Sequence, residues 1–281
     1  MARILVITDS SGCVSAEPHA NLRVLPITIV VTGGEHTDSP EVADVVYEAL
    51  DAQRPVRSLP PSTHDYVKAI EDGDFDAALV ITPAREFTVM HRNAEVAARL
   101  VDRPVQVIDC RTAAAAQGLI VLEALQATRR RRSLAGVAEV VNDCARRAGL
   151  IAMLPSLTAA QRNARLPAEA PGRVGDGAPG LFRFDNGSVS HIGDVLPWAD
   201  PVGAISQAWR SAGGTPSAKS LVFHAAEPVM AQTLAARLGG EPGIVPFSPA
   251  MAIHTGPGWL GVAWLQNRER HLTGGRSNPR G

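Results

Sequence analysis

The chain has 281 residues, with 27 lysines and arginines against 28 aspartates and glutamates, giving a formal net charge of −1. This balance argues against a nucleic-acid-binding protein, because such proteins carry an excess of basic charge. Hydrophobic residues make up 45% and charged residues 20%, which indicates a folded globular chain rather than a disordered one. Aromatic residues make up only 4%, so we expect an aliphatic interior.

The three cysteines, Cys13, Cys110 and Cys144, are widely separated, and no C-x-x-C pair occurs. This pattern indicates neither a disulfide framework nor a zinc site, so we expect no metal and a reducing, cytoplasmic location. No apolar run approaches about 18 residues, the length needed to cross a bilayer. We therefore expect no membrane-spanning segment.

The first half alternates short apolar runs with helical patterns, an order typical of a parallel sheet covered on both faces. The apolar runs predict strands at residues 4–7, 24–31, 77–82 and 105–108. Ser39-Pro40-Glu41 and Ser62-Thr63-His64-Asp65 predict helix starts, since each offers a hydroxyl cap and an early acid. The predicted helices run from there to about residues 52 and 73, and over 93–101, 112–128 and 133–148.

The second half differs in its predicted elements: a strand at 151–154, a Pro- and Gly-rich loop at 167–179 and then a sequence typical of a β-hairpin. Asp185-Asn186-Gly187 separates two apolar runs, 181–184 and 188–192, as in a tight β-turn. Helices are predicted at 204–212 and 228–238, and strands at 220–224, 244–245 and 261–265. We predict a two-domain α/β protein: a mainly parallel sheet in residues 1–150, an α+β domain with an antiparallel or mixed sheet in 151–272, and a disordered tail at 273–281.

Two short motifs stand out on chemical grounds. Thr8-Asp9-Ser10-Ser11-Gly12 follows the first strand, and in open α/β sheets ligands bind beyond the carboxyl ends of the strands. His254-Thr255-Gly256-Pro257-Gly258 predicts a tight turn with positive φ at one or more glycines, which would fix the imidazole. Each motif is also compatible with an ordinary turn, so from the residues alone the prediction stops at a cleft lined by hydroxyls and a histidine.

Taken in order, a set of blocks resembles the DegV family of fatty-acid-binding proteins and covers nearly the whole chain. The blocks are Ile7-Thr8-Asp9-Ser10-Ser11, Ser58-Leu59-Pro60-Pro61-Ser62, Thr82-Pro83 through Asn93-Ala94, Val107-Ile108-Asp109-Cys110-Arg111 through Gly118, Leu154-Pro155-Ser156-Leu157 with Gln161-Arg162, Pro179-Gly180-Leu181-Phe182 with Asp185-Asn186-Gly187, and His254-Thr255-Gly256-Pro257-Gly258. The resemblance implies two α/β domains with a long-chain fatty acid in an apolar tunnel between them. It also implies no cofactor and no catalysis by this chain alone: a separate fatty acid kinase would phosphorylate the presented carboxylate.

The resemblance also assigns roles to individual residues of this chain. It implies that Ser58, Thr88 and Ser62 bind the carboxylate and that Arg162 and His254 lie near the head group or the incoming phosphate. The implied cleft-forming residues are Asp9, Ser10, Ser11, Gly256 and Gly258.

Two alternatives remain open at this point. A serine or threonine hydroxyl next to a histidine is also typical of the active sites of acyl hydrolases and acyltransferases. One alternative is therefore such an enzyme, with a Ser or Thr near His254. The chain departs from the family pattern as well, with Leu59 and Pro60 in the second block and Ala160-Gln161 where two glycines are typical. These departures are compatible with a degenerate paralogue that binds another lipid or none.

Overall fold

The computed structural model describes residues 2–15, 19–154, 179–195 and 200–267, in which the chain forms thirteen strands and eight helices. The strands are β1 (Ile4–Asp9), β2 (Leu22–Leu25), β3 (Thr28–Val31), β4 (Gly34–Thr37), β5 (Val56–Leu59), β6 (Ala77–Thr82), β7 (Val105–Asp109), β8 (Ala148–Leu154), β9 (Gly180–Asp185), β10 (Ser188–Asp194), β11 (Lys219–His224), β12 (Gly243–Pro246) and β13 (Leu260–Leu265). The helices are α1 (Ala43–Asp51), α2 (Thr63–Glu71), α3 (Met90–Ala98), α4 (Ala114–Arg129), α5 (Leu134–Arg147), α6 (Pro201–Ser211), α7 (Pro228–Leu238) and α8 (Pro249–Thr255).

The first sheet is parallel throughout and has the strand order β2-β1-β6-β7. All six residues of β1 and all six of β6 are buried, because helices cover both faces of the sheet. Successive side chains of β1 lie on opposite faces of the sheet. Ile4 and Val6 pack towards α4 and α5, whereas Leu5 and Ile7 pack towards α2 and α3. The unbroken apolar runs in the sequence are therefore explained by this two-sided burial.

The second sheet is mixed, with the strand order β10-β9-β8-β13-β11-β12, and only β11 and β12 pair in parallel. One of its faces packs on α4 and the other on α6 and α7. Helix α4 thus lies between the two large sheets and joins them in one core. The predicted α/β architecture, a parallel sheet followed by a mixed one, is confirmed, whereas the boundary at residue 150 stays a prediction.

A third, small sheet brings the two halves of the chain together. Its order is β4-β3-β5, all antiparallel, and its apolar side chains pack against α1 and against Ala250 and Ile253 of α8. We predicted one strand over residues 24–31, but the chain forms two strands in different sheets. Pro26 lies between them and has no N–H to donate to a ladder, so the break falls there.

Gly118, on α4, makes a close backbone contact with the loop that follows β1. A Cβ at this position would lie 2.3 Å from the Gly12 carbonyl oxygen, too close for any side chain. We expect Gly118→Ala to lower the free energy of unfolding by about 2–3 kcal/mol, because α4 or the loop must move. Chemical denaturation measures this loss.

Gly136→Ala is the matched control for Gly118→Ala, since Gly136 is also helical and its Cβ would meet nothing closer than 3.4 Å. Alanine has the higher helix propensity, so this variant should lose no stability. Equal stabilities for the two variants would contradict the proposed clash.

Candidate functional site

A cavity of about 110 Å³ lies where the small sheet, α8 and the second large sheet meet. A single buried water needs roughly 10–15 Å³ on the same scale, so this space is too large to be a packing defect. Its walls are mostly apolar, and the large side chains that line them are Phe87, Met90, Phe182, Phe184, Met251 and Trp259. The polar side chains that line the cavity are Ser11, Ser58, Thr88, His254 and Thr255.

Four aromatic side chains line the cavity: Phe87, Phe182, Phe184 and Trp259. Phe184 makes edge-on contacts with Phe87 and Trp259, at centroid distances of 6.2 and 5.9 Å. Trp259 also stacks on Phe247 at 4.8 Å. From the composition we expected an aliphatic interior, but part of this cavity wall is aromatic, because composition reports how many aromatic residues there are and not where they lie.

Ser58 and His254 are two polar side chains that meet on the cavity wall. Ser58 lies on β5 and His254 in the last turn of α8, 196 residues further along the chain, and Ser58 Oγ is 3.0 Å from His254 Nε2. Because α8 packs on the small sheet through Ala250 and Ile253, these two side chains are held together by the apolar core below them. The structure thus brings together two of the residues to which the resemblance assigned the head group.

Thr88 also lines the cavity, in the loop before α3. Its Oγ1 accepts a hydrogen bond from Met90 N at 3.3 Å, which leaves its O–H as a donor. Ser58 and Thr88 therefore place two hydroxyl groups on the cavity wall. A carboxylate that is buried away from water needs hydrogen-bond donors of this kind to compensate for its lost hydration.

Ser62, in contrast, is exposed and does not line the cavity. Its Oγ accepts from Asp65 N at 3.3 Å while the Asp65 carboxylate accepts from Ser62 N at 2.8 Å, a capping box at the start of α2. The structure confirms the predicted helix cap here. It does not bring Ser62 to the other predicted carboxylate ligands, because its hydroxyl is engaged by the helix.

The motif that follows β1 is buried and internally bonded. The Asp9 carboxylate accepts from Ser11 N at 3.1 Å, from the Ser11 hydroxyl and from Gln117 Nε2 at 2.9 Å. Of the three cleft residues predicted in this motif, only Ser11 lines the cavity. Asp9 instead fixes the turn, and Ser10 donates to Asp38 at 2.6 Å.

Asp38 is a buried residue that sequence reasoning missed. Its Oδ2 accepts from the hydroxyls of Ser10 and Ser248, and its Oδ1 accepts from Ala250 N at 2.9 Å. It therefore ties the turn after β1 to the first turn of α8, the helix that carries His254. No local signal marks this role, because Ser248 and Ala250 lie more than 200 residues further along the chain.

The two cleft glycines have the predicted backbone conformation: φ is 80° at Gly256 and 88° at Gly258. Gly256 ends α8, and Gly258 N donates to Ala225 O at 2.8 Å. Neither glycine lines the cavity, but the turn they form leads from His254 to Trp259, and both of those residues do. Arg162 and the 273–281 tail lie outside the described residues.

Burial sets the protonation of two groups near the cavity. It raises the pKa of the Cys13 thiol to about 12, so this cysteine is no thiolate nucleophile near neutral pH. Burial also raises the pKa of the Asp9 carboxyl above its ordinary value of 3.8, and the hydrogen bonds from Ser11 and Gln117 offset only part of that effect.

This raised pKa of Asp9 predicts a pH dependence of stability. The folded protein holds the Asp9 proton more tightly than the unfolded chain does, so the Asp9 contribution to the free energy of unfolding is full below pH 3.8 and declines as pH rises through the raised pKa. Asp9→Asn cannot ionise, so we expect its unfolding free energy to lack this decline. Denaturant titrations at a series of pH values give the unfolding free energy of both proteins as a function of pH. Parallel profiles for wild type and Asp9→Asn would contradict the prediction. Asp102→Asn is the control: Asp102 is exposed, so this variant should keep the wild-type profile.

Among the described residues, no group of three His, Cys, Asp or Glu side chains could hold a metal ion. In the same part of the chain, no helix is both long and apolar enough to cross a membrane.

The geometry defines an α/β protein with an amphiphilic cavity, apolar over most of its wall and with several polar side chains, among them Ser58 and His254. A model of the DegV family, described as uncharacterised proteins, matches residues 3–267. The chain belongs to the DegV family.

Individual relatives agree with this assignment over nearly the whole chain. A DegV domain-containing protein of Streptomyces coelicolor is 27% identical, over 92% of this chain and 97% of the relative. The fatty-acid-binding DegV family protein of Streptococcus agalactiae superposes with a TM-score of 0.84 and 17% identity, over 95% of this chain and all of that one. The Streptococcus pneumoniae fatty acid kinase B3 protein, solved with linoleic acid, superposes with a TM-score of 0.81 and 19% identity, over 94% of this chain and 100% of that one. At these identities the two structures show a shared fold.

Proposed function

We propose that this chain binds a long-chain fatty acid in the cavity, with the carboxylate at Ser58, Thr88 and His254 and the acyl chain against the aromatic wall. The observation that carries the proposal is the pairing of Ser58 with His254 on the wall of a mostly apolar cavity. The solved relatives with this fold that bind fatty acids support it.

The energetics favour such a ligand. Each buried methylene contributes about 0.8 kcal/mol, so roughly 14 methylenes supply about 11 kcal/mol before the costs of association. The carboxylate is the costly end, because an unpaired buried charge is strongly unfavourable. Charge-assisted hydrogen bonds from two hydroxyls and an imidazole offset that cost.

The proposal includes a separate kinase that phosphorylates the presented carboxylate, with no catalysis by this chain alone. The support is the similarity to the pneumococcal fatty acid kinase B3 protein. Arg162, which the resemblance assigns to the head group, remains a predicted contact for the incoming phosphate.

Mass spectrometry of the native protein, followed by solvent extraction, tests fatty acid binding. We expect a complex heavier than the chain by the mass of one fatty acid, and a free fatty acid in the extract. A chain that stays unliganded even after incubation with excess oleate would contradict the proposal and favour a degenerate paralogue.

An acyl hydrolase is the second candidate, because the 3.0 Å contact between Ser58 and His254 is also the geometry of a nucleophile and its base. Hydrolysis of p-nitrophenyl esters separates the two functions. The hydrolase predicts turnover that His254→Ala abolishes, whereas the fatty acid carrier predicts no turnover by the wild-type protein.

A further inference from the structure

The hairpin of β9 and β10 forms one wall of the cavity. Phe182, Phe184 and Val189 lie on it and line the cavity. In the described part of the second sheet, β10 is the edge strand, so the hairpin is held laterally through β9 alone. Besides the antiparallel pairing of β9 with β8, contacts at the tip of the hairpin hold it over the cavity.

Arg111, in the loop between β7 and α4, binds that tip from the other half of the chain. Its Nε donates to Asn186 Oδ1 at 3.0 Å and its Nη2 donates to Asn186 O at 2.7 Å. Gly187 N donates in turn to Arg111 O at 2.8 Å. Three hydrogen bonds thus join residues that lie about 75 positions apart.

The same guanidinium also contacts Glu86, next to another residue that lines the cavity. Arg111 Nη1 is 3.2 Å from Glu86 Oε1, and Glu86 directly precedes Phe87, which meets Phe184 edge-on. The fit is close, since a Cβ on Gly187 would lie 2.6 Å from Glu86 Oε2. Arg111 therefore connects both segments whose phenylalanines meet at the cavity.

The backbone of Arg111 is in the left-handed region, with φ of 58°, which is unfavourable for a residue with a side chain. Arg111 N donates to Asp109 Oδ1 at 2.8 Å, and this bond holds the conformation. In this conformation both the carbonyl and the guanidinium of Arg111 contact the hairpin turn.

We infer that Arg111 is a positioning residue that keeps the hairpin closed over the cavity and thereby sets how fast a bound acyl chain leaves. It does not line the cavity, so it acts through Phe182, Phe184 and Val189. The effect on ligand release rests on the proposed fatty acid binding, whereas the effect on the hairpin does not.

Hydrogen exchange of the ligand-free protein and transfer of bound oleate to albumin test this inference. Arg111→Gln replaces arginine with a residue of similar backbone preference. It removes the guanidinium that contacts Asn186 and Glu86. Arg103→Gln is the control, because Arg103 also donates to backbone carbonyls, at Ile70 and Gly73, but within the first half alone. Asn186→Gly is a second variant, which keeps a turn residue and removes one acceptor.

We expect the amides of residues 181–194 to exchange about tenfold faster in Arg111→Gln, to change in the same direction in Asn186→Gly, and to be unchanged in Arg103→Gln. Oleate release should accelerate by a similar factor. Equal exchange in all proteins, or equal release rates despite faster exchange, would overturn the inference. If the wild-type protein binds no oleate, the proposed function fails, and the exchange data alone decide whether Arg111 holds the hairpin.

Discussion

Replacing Asp38 with alanine should lower the free energy of unfolding by roughly 3–5 kcal/mol, because it leaves three donors, two of them buried, without their acceptor. Those donors are the hydroxyls of Ser10 and Ser248 and the amide of Ala250. Folded domains are commonly stable by only about 5–15 kcal/mol, so a loss of this size is a large fraction of the total. Chemical denaturation with the linear extrapolation method measures it.

Asp102→Ala provides the control, since Asp102 is exposed and its removal should change stability by less than about 0.5 kcal/mol. If Asp38→Ala proves as stable as Asp102→Ala, Asp38 does not hold the turn after β1 to α8. The prediction extends to binding, because α8 carries His254: Asp38→Ala should also weaken fatty acid affinity.

Ser58→Ala should weaken fatty acid binding by roughly 10- to 100-fold, because a hydrogen bond to a charged group contributes about 1.5–3 kcal/mol. Ser58 lines the cavity and contacts His254, so its loss also removes a hydrogen-bond partner of the imidazole. Titration calorimetry with oleate measures the change. Stability should change little, since Ser58 is only partly buried.

Ser62→Ala is the matched control for this experiment, four residues further along the chain at the start of α2. Ser62 caps α2 and does not line the cavity, so its loss should cost about 1 kcal/mol of stability and leave oleate affinity unchanged. If Ser62→Ala weakens binding as much as Ser58→Ala does, the carboxylate site lies outside the described cavity.

Much of the fold follows from local patterns in the sequence. The buried runs at β1 and β6 are continuous because both faces of a parallel sheet are covered, and Asn186-Gly187 marks the hairpin because both residues adopt positive φ. The break between β2 and β3 was missed because the apolar pattern continues across Pro26, while the pairing partners change. Pairing partners are a property of the whole sheet and not of the segment.

The candidate site was predictable only where a motif marks it. Ser58, Thr88 and His254 were found through the family resemblance, and the structure places all three on one cavity. The roles of Asp38 and Arg111 depend on partners 210 and 75 residues away, and nothing in their own neighbourhoods signals those contacts. The aromatic part of the cavity wall is likewise a result of tertiary packing.

A crystal structure with bound palmitate tests whether Ser58 binds the carboxylate of the fatty acid. We expect one carboxylate oxygen within about 2.6–3.2 Å of Ser58 Oγ, near Thr88 and His254, and the acyl chain in contact with Phe184 and Trp259. A reversed ligand with its carboxylate away from Ser58, or palmitate bound only outside this cavity, would contradict it.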